Sequence, residues 1–210
     1  MVAPAAGLAV NLALRGALLA MLAEVFRAGP DDHRFAGKGI GARFAVFALP
    51  ATMLVPALWL RGGRRRPYPA WIDTLYVSLF ALDLAGNVFD LYDRHAHFDL
   101  IPHAHGGGAI AVTAAWLFGW SPAKAAAASI AGHALLEGQE IASDVAFGLH
   151  NVRGWWDVAG DLGAGAVGAV AYAAAYQRFV RGREEGARVA PGQIPAPGSL
   201  GPESTAGRRR

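Results

Sequence analysis

Apolar residues run along this chain in long blocks, not in the one-sided stripes of a soluble domain. Six blocks, 5–26, 44–60, 70–92, 101–120, 123–149 and 156–180, are each about the length a helix needs to cross a bilayer, roughly 17–25 residues. The pattern predicts an all-α fold, a polytopic membrane helix bundle of about six transmembrane helices. The second block carries no charge, and Pro50 and Pro56 are expected to kink it. The fifth is rich in Ala and carries four charged groups besides His133, so its burial should depend on its neighbours. Arg15 interrupts the first block and no basic segment precedes it, which favours a retained helix over a cleaved signal peptide.

The basic residues bear on orientation. The run Arg61-Gly-Gly-Arg-Arg-Arg66 between the second and third blocks, Lys124, and the cluster Arg178, Arg181, Arg183 should face the cytoplasm. Both termini are then cytoplasmic, and the expected location is a bacterial inner membrane. The loop from Arg27 to Arg43 opposes this, with four basic residues against Asp31 and Asp32. The transmembrane domain is expected over 1–180. Residues 181–210, poor in large apolar side chains, should form a disordered basic cytoplasmic tail.

Composition sharpens the picture through its charge partition. Only 17% of the 210 residues are charged, against about 25% in soluble domains. Nine of the 16 acidic residues fall between Asp83 and Asp161, with only Arg94, Lys124 and Arg153 to answer them, a local net of −6. The rest of the chain is +9, which recovers the overall +3. Six of the seven histidines share the acidic stretch. No basic-aromatic array suits nucleic acid. The absence of cysteine excludes disulfides and thiolate metal ligands.

Helical spacing then gathers the acids. His133, Glu137, Glu140 and Asp144 follow i, i+4, i+7, i+11, within a stripe roughly 60° wide. Asp83, Asn87 and Asp90 keep the same rule, and Asp157 and Asp161 are four apart. A lipid-facing carboxylate costs several kcal/mol, so these faces should turn inward. The polar groups sit late in the third block, early in the fourth, late in the fifth and early in the sixth. In an up-down bundle those ends share one side of the membrane, extracytoplasmic in the orientation above. Asp73 is expected at the opposite, cytoplasmic interface. Arg15, four residues after Asn11, suits a structural counter-ion for one of the carboxylates.

The densest run is Asp90-Leu-Tyr-Asp93-Arg-His95-Ala-His97-Phe-Asp99-Leu-Ile-Pro102-His103-Ala-His105-Gly-Gly-Gly. Pro102 fits the start of a helix, and the triple glycine lets that helix approach a neighbour or a ligand closely. Mixed imidazole and carboxylate donors suit a divalent metal ion of open identity, such as Zn²⁺, Mn²⁺ or Fe²⁺. Candidate metal ligands are Asp90, Asp93, His97, Asp99, His103, His105 and Asp144. Candidates for acid–base work, or for metal binding, are Glu137, Glu140, Asp157 and Asp161. No HExxH motif is present. Gly163-Ala-Gly165-Ala-Val-Gly168 lies in an apolar helix with no preceding strand, so it is no dinucleotide loop. Gly160, Ala164 and Gly168 instead form a small-residue packing face. His105-Gly-Gly-Gly108 lacks the GxSxG elbow that an oxyanion loop would serve. The pairs Trp155-Trp156 and Trp116/Trp120 suit interfacial anchors.

Three blocks across about 83–173 resemble VanZ-like and YjdF-like bacterial membrane proteins. Phe98-Asp99-Leu-Ile-Pro-His103-Ala-His105-Gly-Gly107 resembles a D-x-x-x-H-x-x-G-G block opening a helix. Leu135-Leu-Glu137-Gly-Gln-Glu140 is similar to an E-x-x-E/Q helix, and Trp156-Asp157-Val-Ala-Gly-Asp161 to a W-D-x-x-x-D block. Leu149-His150-Asn151-Val-Arg153 stands where the family usually has Asp-Thr-Gln-Gly. The resemblance implies a small multi-helix inner-membrane protein, some relatives being linked to glycopeptide-antibiotic resistance. It implies no particular reaction.

The expected function is a metal-assisted enzyme acting on a membrane lipid or lipid-linked envelope substrate at the extracytoplasmic leaflet. The alternatives are a cation or proton transporter using the same carboxylates, and a non-catalytic lipid- or partner-binding membrane protein.

Overall fold

The computed structural model describes residues 4–62 and 67–188, with side chains through Val180. Helices account for the regular structure, and no strand occurs among the described residues. They are α1 (Pro4–Ala28), α2 (Ile40–Arg61), α3 (Ala70–Val88), the single turn α4 (Leu91–Arg94), α5 (Leu100–Phe118), α6 (Pro122–Phe147) and α7 (Trp155–Arg188). Each of the six long helices coincides with one apolar block. The last continues to Arg188, past the boundary expected at 180. Residues 63–66 of the basic run, and 189–210 of the expected tail, lie outside the described residues.

Three helices, Ala5–Ala28, Ile40–Arg61 and Trp155–Val180, are long and apolar enough to cross a membrane. They mark the chain as a membrane protein. Their outer faces are apolar, with Leu12, Phe47 and Val167 all exposed.

Local chemistry sets the ends and the breaks. Ser121 caps α6 by accepting from the Lys124 N–H, with Pro122 at the first helical position. Gly148, at φ 66, ends it in the left-handed conformation that glycine takes without steric cost. In α2, Pro50 offers no N–H to the preceding turn. The helix widens to a π-turn over Phe44–Ala48 and breaks its regular bonding at Thr52 and Met53. The expected prolines therefore do distort this helix, on both sides of Pro50.

Two packing regions position the site. Leu18, Leu22 and Val25 of α1 form a core with Phe44 of α2 and Val77 and Leu84 of α3. On the other side α5 crosses α7 at glycines. A Cβ on Gly107 would collide with the Gly165 carbonyl, and one on Gly168 with the Ala104 carbonyl. Of the expected small-residue face, Gly168 makes the tightest contact, and Gly160 touches Leu100 at 3.4 Å from its would-be Cβ. Gly168→Val would force the two backbones apart, and overpacking of this kind costs about 1–3 kcal/mol. Thermal unfolding in detergent should show that loss, whereas Gly163→Ala, at a position where a Cβ meets nothing within 4 Å, should be silent.

At the far end from the histidines a buried ion pair joins α1 to α3. The Arg15 guanidinium donates to both carboxylate oxygens of Asp73, at 2.7 and 2.9 Å, and to the Thr52 carbonyl freed by the break in α2. Tyr68 Oη also donates to Asp73, and Asn11 donates to Thr74 Oγ1. Asp73 is 0% exposed, so it does not face the interface expected of it. Arg15 is the structural counter-ion that its position suggested.

Candidate metal centre

The sequence gathers its ligand-type residues on one face of α6, and α5 and α7 meet that face. His103, in the first turn of α5, stands opposite His133 and Glu137 of α6. Its Nδ1 lies 2.9 Å from His133 Nε2 and 3.5 Å from Glu137 Oε1, and the last two atoms are 3.7 Å apart. The three atoms fall on a circle of radius about 2.0 Å, the bond length zinc makes to imidazole and carboxylate. His133 reaches this position because Gly165 has no side chain. A Cβ there would sit 2.7 Å from the imidazole.

On the other edge of His103, Nε2 lies 3.2 Å from Asp99 Oδ1 and 3.7 Å from Asp161 Oδ1. Asp99 is four residues earlier on the chain, and Asp161 comes from the start of α7. A carboxylate at the second nitrogen of a ligating histidine fixes its tautomer and ring plane. His103, His133 and Glu137 form one group positioned to hold a metal ion, and Asp99, His103 and Asp161 form another that shares the same ring.

Glu137 Oε1 has the environment of a ligand more than of a structural acceptor. Its residue is 3% exposed, and the atom is buried without a hydrogen-bond donor among the described residues. Leaving such an atom unsatisfied costs about 1–3 kcal/mol, more when it is charged. A cation among the three donors would remove that cost.

The cluster opens into a cavity of about 360 Å³. Of the sequence-derived candidates, Asp93, Asp99, His103, Glu137, Glu140, Asp157 and Asp161 line it. With Asp83 and Asn87 of α3 also on its wall, contributions from α3, α5, α6 and α7 converge on one place, as the axial positions predicted.

Several candidates are engaged elsewhere. His105 bridges helices, with Nε2 at 2.8 Å from Ser78 Oγ and Nδ1 at 3.0 Å from Tyr172 Oη, so both its nitrogens serve α3–α5–α7 packing. Asp144 accepts from the Asn151 and Val152 N–H groups and from the Asn151 amide, closing the turn between α6 and α7. His97 is exposed on the segment before α5. Asp90 takes a left-handed conformation, φ 58, and pairs with Arg94. Asp157, though it lines the cavity, also accepts from the Arg153 N–H at the start of α7.

Cations that answer the acidic stretch come from outside it. Arg43 donates to Glu140 at 3.1 Å and to Asp83 at 3.2 Å, and Tyr92 Oη donates to the other oxygen of Asp83. Lys38 bonds Asp93 at 2.8 Å and holds that carboxyl below the usual range. The α1–α2 loop carries Lys38 and leads directly into Arg43 in the first turn of α2, and it is anchored over the site. Arg34 ties it to Asp32, Glu24 and the Val88 carbonyl, and the Gly37 carbonyl accepts from the His150 N–H. Sequence reasoning placed His133 on the polar stripe of α6 without counting it among the ligands, and it missed Arg43 altogether. Its signal was a guanidinium standing directly before an uncharged apolar helix.

Comparison with protein-family models, with curated proteins and with solved structures finds no match for this chain.

Proposed function

We propose that this protein is a metal-assisted membrane enzyme acting on a lipid or lipid-linked envelope molecule. The observation that carries the reading is the ring of His103 Nδ1, His133 Nε2 and Glu137 Oε1, at ligand spacing around a common centre and beside a cavity. Two imidazoles and one carboxylate leave a tetrahedral ion one open position, the arrangement of catalytic rather than structural zinc. A bound divalent ion would supply a Lewis acid able to polarise a phosphoryl oxygen or activate water. Asp99 orients His103, and Asp161 and Asp157 stand at the same rim as candidates for proton transfer. Glu140 positions Arg43.

In this reading all six long helices cross the membrane, both termini are cytoplasmic, and the metal lies near the extracytoplasmic surface at headgroup depth. The three sequence blocks that resemble VanZ-like and YjdF-like proteins supply Asp99, His103, Glu137, Glu140, Asp157 and Asp161, which supports assigning the chain to that group. A transport reading finds less support, because Arg15 and Asp73 at the opposite end are locked to one another. Proton or cation flux into liposomes that vanished with Glu137→Gln would reverse the ranking.

The direct test is elemental analysis of the detergent-purified full chain with thermal melts before and after chelation. One divalent ion per chain and a lower melting temperature on its removal are expected. Protein that holds no metal, and melts identically in chelator, rejects the proposal.

A further inference from the structure

The cavity is polar at one end only. Beyond Arg43 its wall continues over Phe47 and Ala51 of α2, facing Gly106 and Ile110 of α5 and Leu136 of α6. Three of these are exposed as well as lining the cavity: Phe47 at 70%, Leu136 at 43% and Ile110 at 36%. The cavity therefore reaches the surface between α2 on one side and α5 and α6 on the other. That surface belongs to the apolar middle of α2, whose span runs from Ile40 to Arg61. The π-turn Phe44–Ala48 shapes the same wall, since Phe44, Phe47 and Ala48 all line it.

At the polar end three cations, Lys38, Arg43 and Arg153, line the cavity among seven carboxylates, and Lys38 is paired with Asp93, so an anionic head there depends on Arg43 and on the metal. Arg43 is held from two sides by Glu140 and Asp83, bonds that engage two of the five N–H donors of a guanidinium. A braced arginine with donors to spare is suited to a phosphoryl group, which it can bind through paired N–H contacts.

We propose that the gap between α2 and α5–α6 is a lateral entrance from the bilayer, through which a phosphoryl-headed amphiphile places its head beside Arg43 and His103 while one apolar chain lies along Phe47, Ala51, Ile110 and Leu136. The inference rests on the reading of the site as one that acts on a membrane lipid, and it adds the class of head, the subsite for the chain and the route of entry. Gly106 offers the means to close it. A Cβ there meets nothing within 4 Å, so Gly106→Leu begins its side chain in open space on the cavity wall.

The test uses the full chain in phosphatidylcholine nanodiscs containing a trace of phosphatidic acid with a diazirine in its acyl chain. After photolysis, mass spectrometry maps the adducts, and zinc content is measured on the same preparations. Labelling at Phe47, Ala51, Ile110 and Leu136 should saturate, be competed by unlabelled phosphatidic acid but not by diacylglycerol, and be lost in Gly106→Leu while zinc content is kept. Labelling at Val10 and Val167, on outward faces, should rise linearly with probe and ignore both competitors. Portal labelling that behaves like Val10, or that diacylglycerol competes equally well, overturns the entrance while zinc content stays intact. Loss of zinc from the unmutated chain would instead overturn the metal reading beneath it.

Discussion

Replacing Glu137 by Gln should abolish stoichiometric metal binding and at the same time leave the metal-free protein as stable as before, or more so. The two effects have one cause. Glu137 Oε1 is buried with no hydrogen-bond donor among the described residues, 3.5 and 3.7 Å from the imidazole nitrogens of His103 and His133. A buried carboxylate without a partner is costly, and an amide of the same shape removes its charge along with most of its ligand strength. A residue kept for packing or hydrogen bonding would behave oppositely, losing stability on substitution. Neighbouring substitutions should grade by their contacts. His103→Ala and His133→Ala each delete a ligand and should remove binding as fully as Glu137→Gln. Asp99→Asn touches only the far nitrogen of His103 and should weaken affinity about 10–100-fold. Glu140→Gln, whose carboxylate faces Arg43, should leave metal content unchanged. Zinc titration monitored by calorimetry, with melts of the apo forms, reads the whole series.

The second large effect is expected at the opposite end of the bundle. Arg15→Met should destabilise the protein by about 3–5 kcal/mol, the usual consequence of removing one partner from a buried ion pair. Asp73 is 0% exposed and would keep the Tyr68 hydroxyl as a donor among the described residues. The Thr52 carbonyl, freed where α2 breaks, would lose the Arg15 donor as well. Arg15→Met combined with Asp73→Leu should recover much of the loss, because the charge left behind causes most of the damage. Equal destabilisation in the single and double variants would show that packing, not charge, dominates there. Metal content should be unaffected by either, since no ligand on α5 or α6 contacts this pair among the described interactions.

The helices were legible because a bilayer-length apolar block allows little else, so even the Ala-rich α6 starts and ends within two residues of its expected limits. The convergence of the acids was legible too, from spacing on α6 and from the alternation of helix direction. What each acid does there was not. The stripe His133, Glu137, Glu140 and Asp144 divides among three partners: His103, Arg43 and the Asn151 turn. Periodicity reports which side of a helix a residue occupies, not what the opposite wall presents. His105 illustrates the limit, since its nitrogens are taken by Ser78, 27 residues before it, and Tyr172, 67 residues after it. Arg43 was hidden for another reason. The basic stretch leading into it read as a topology signal, and the anchoring of the preceding loop by Arg34 and Gly37 sets Lys38 and the start of α2 over the acids. The entrance depends on a π-turn in α2, which two prolines announce as a distortion without giving its form.

X-ray absorption at the zinc edge, on the detergent-purified full chain loaded with one equivalent of zinc, addresses the assembly of the centre most directly. The arrangement of His103, His133 and Glu137 predicts four nitrogen or oxygen neighbours at about 2.0–2.1 Å with the multiple-scattering signature of two imidazoles. A six-coordinate, all-oxygen shell without imidazole scattering would mean that these side chains do not close on a metal.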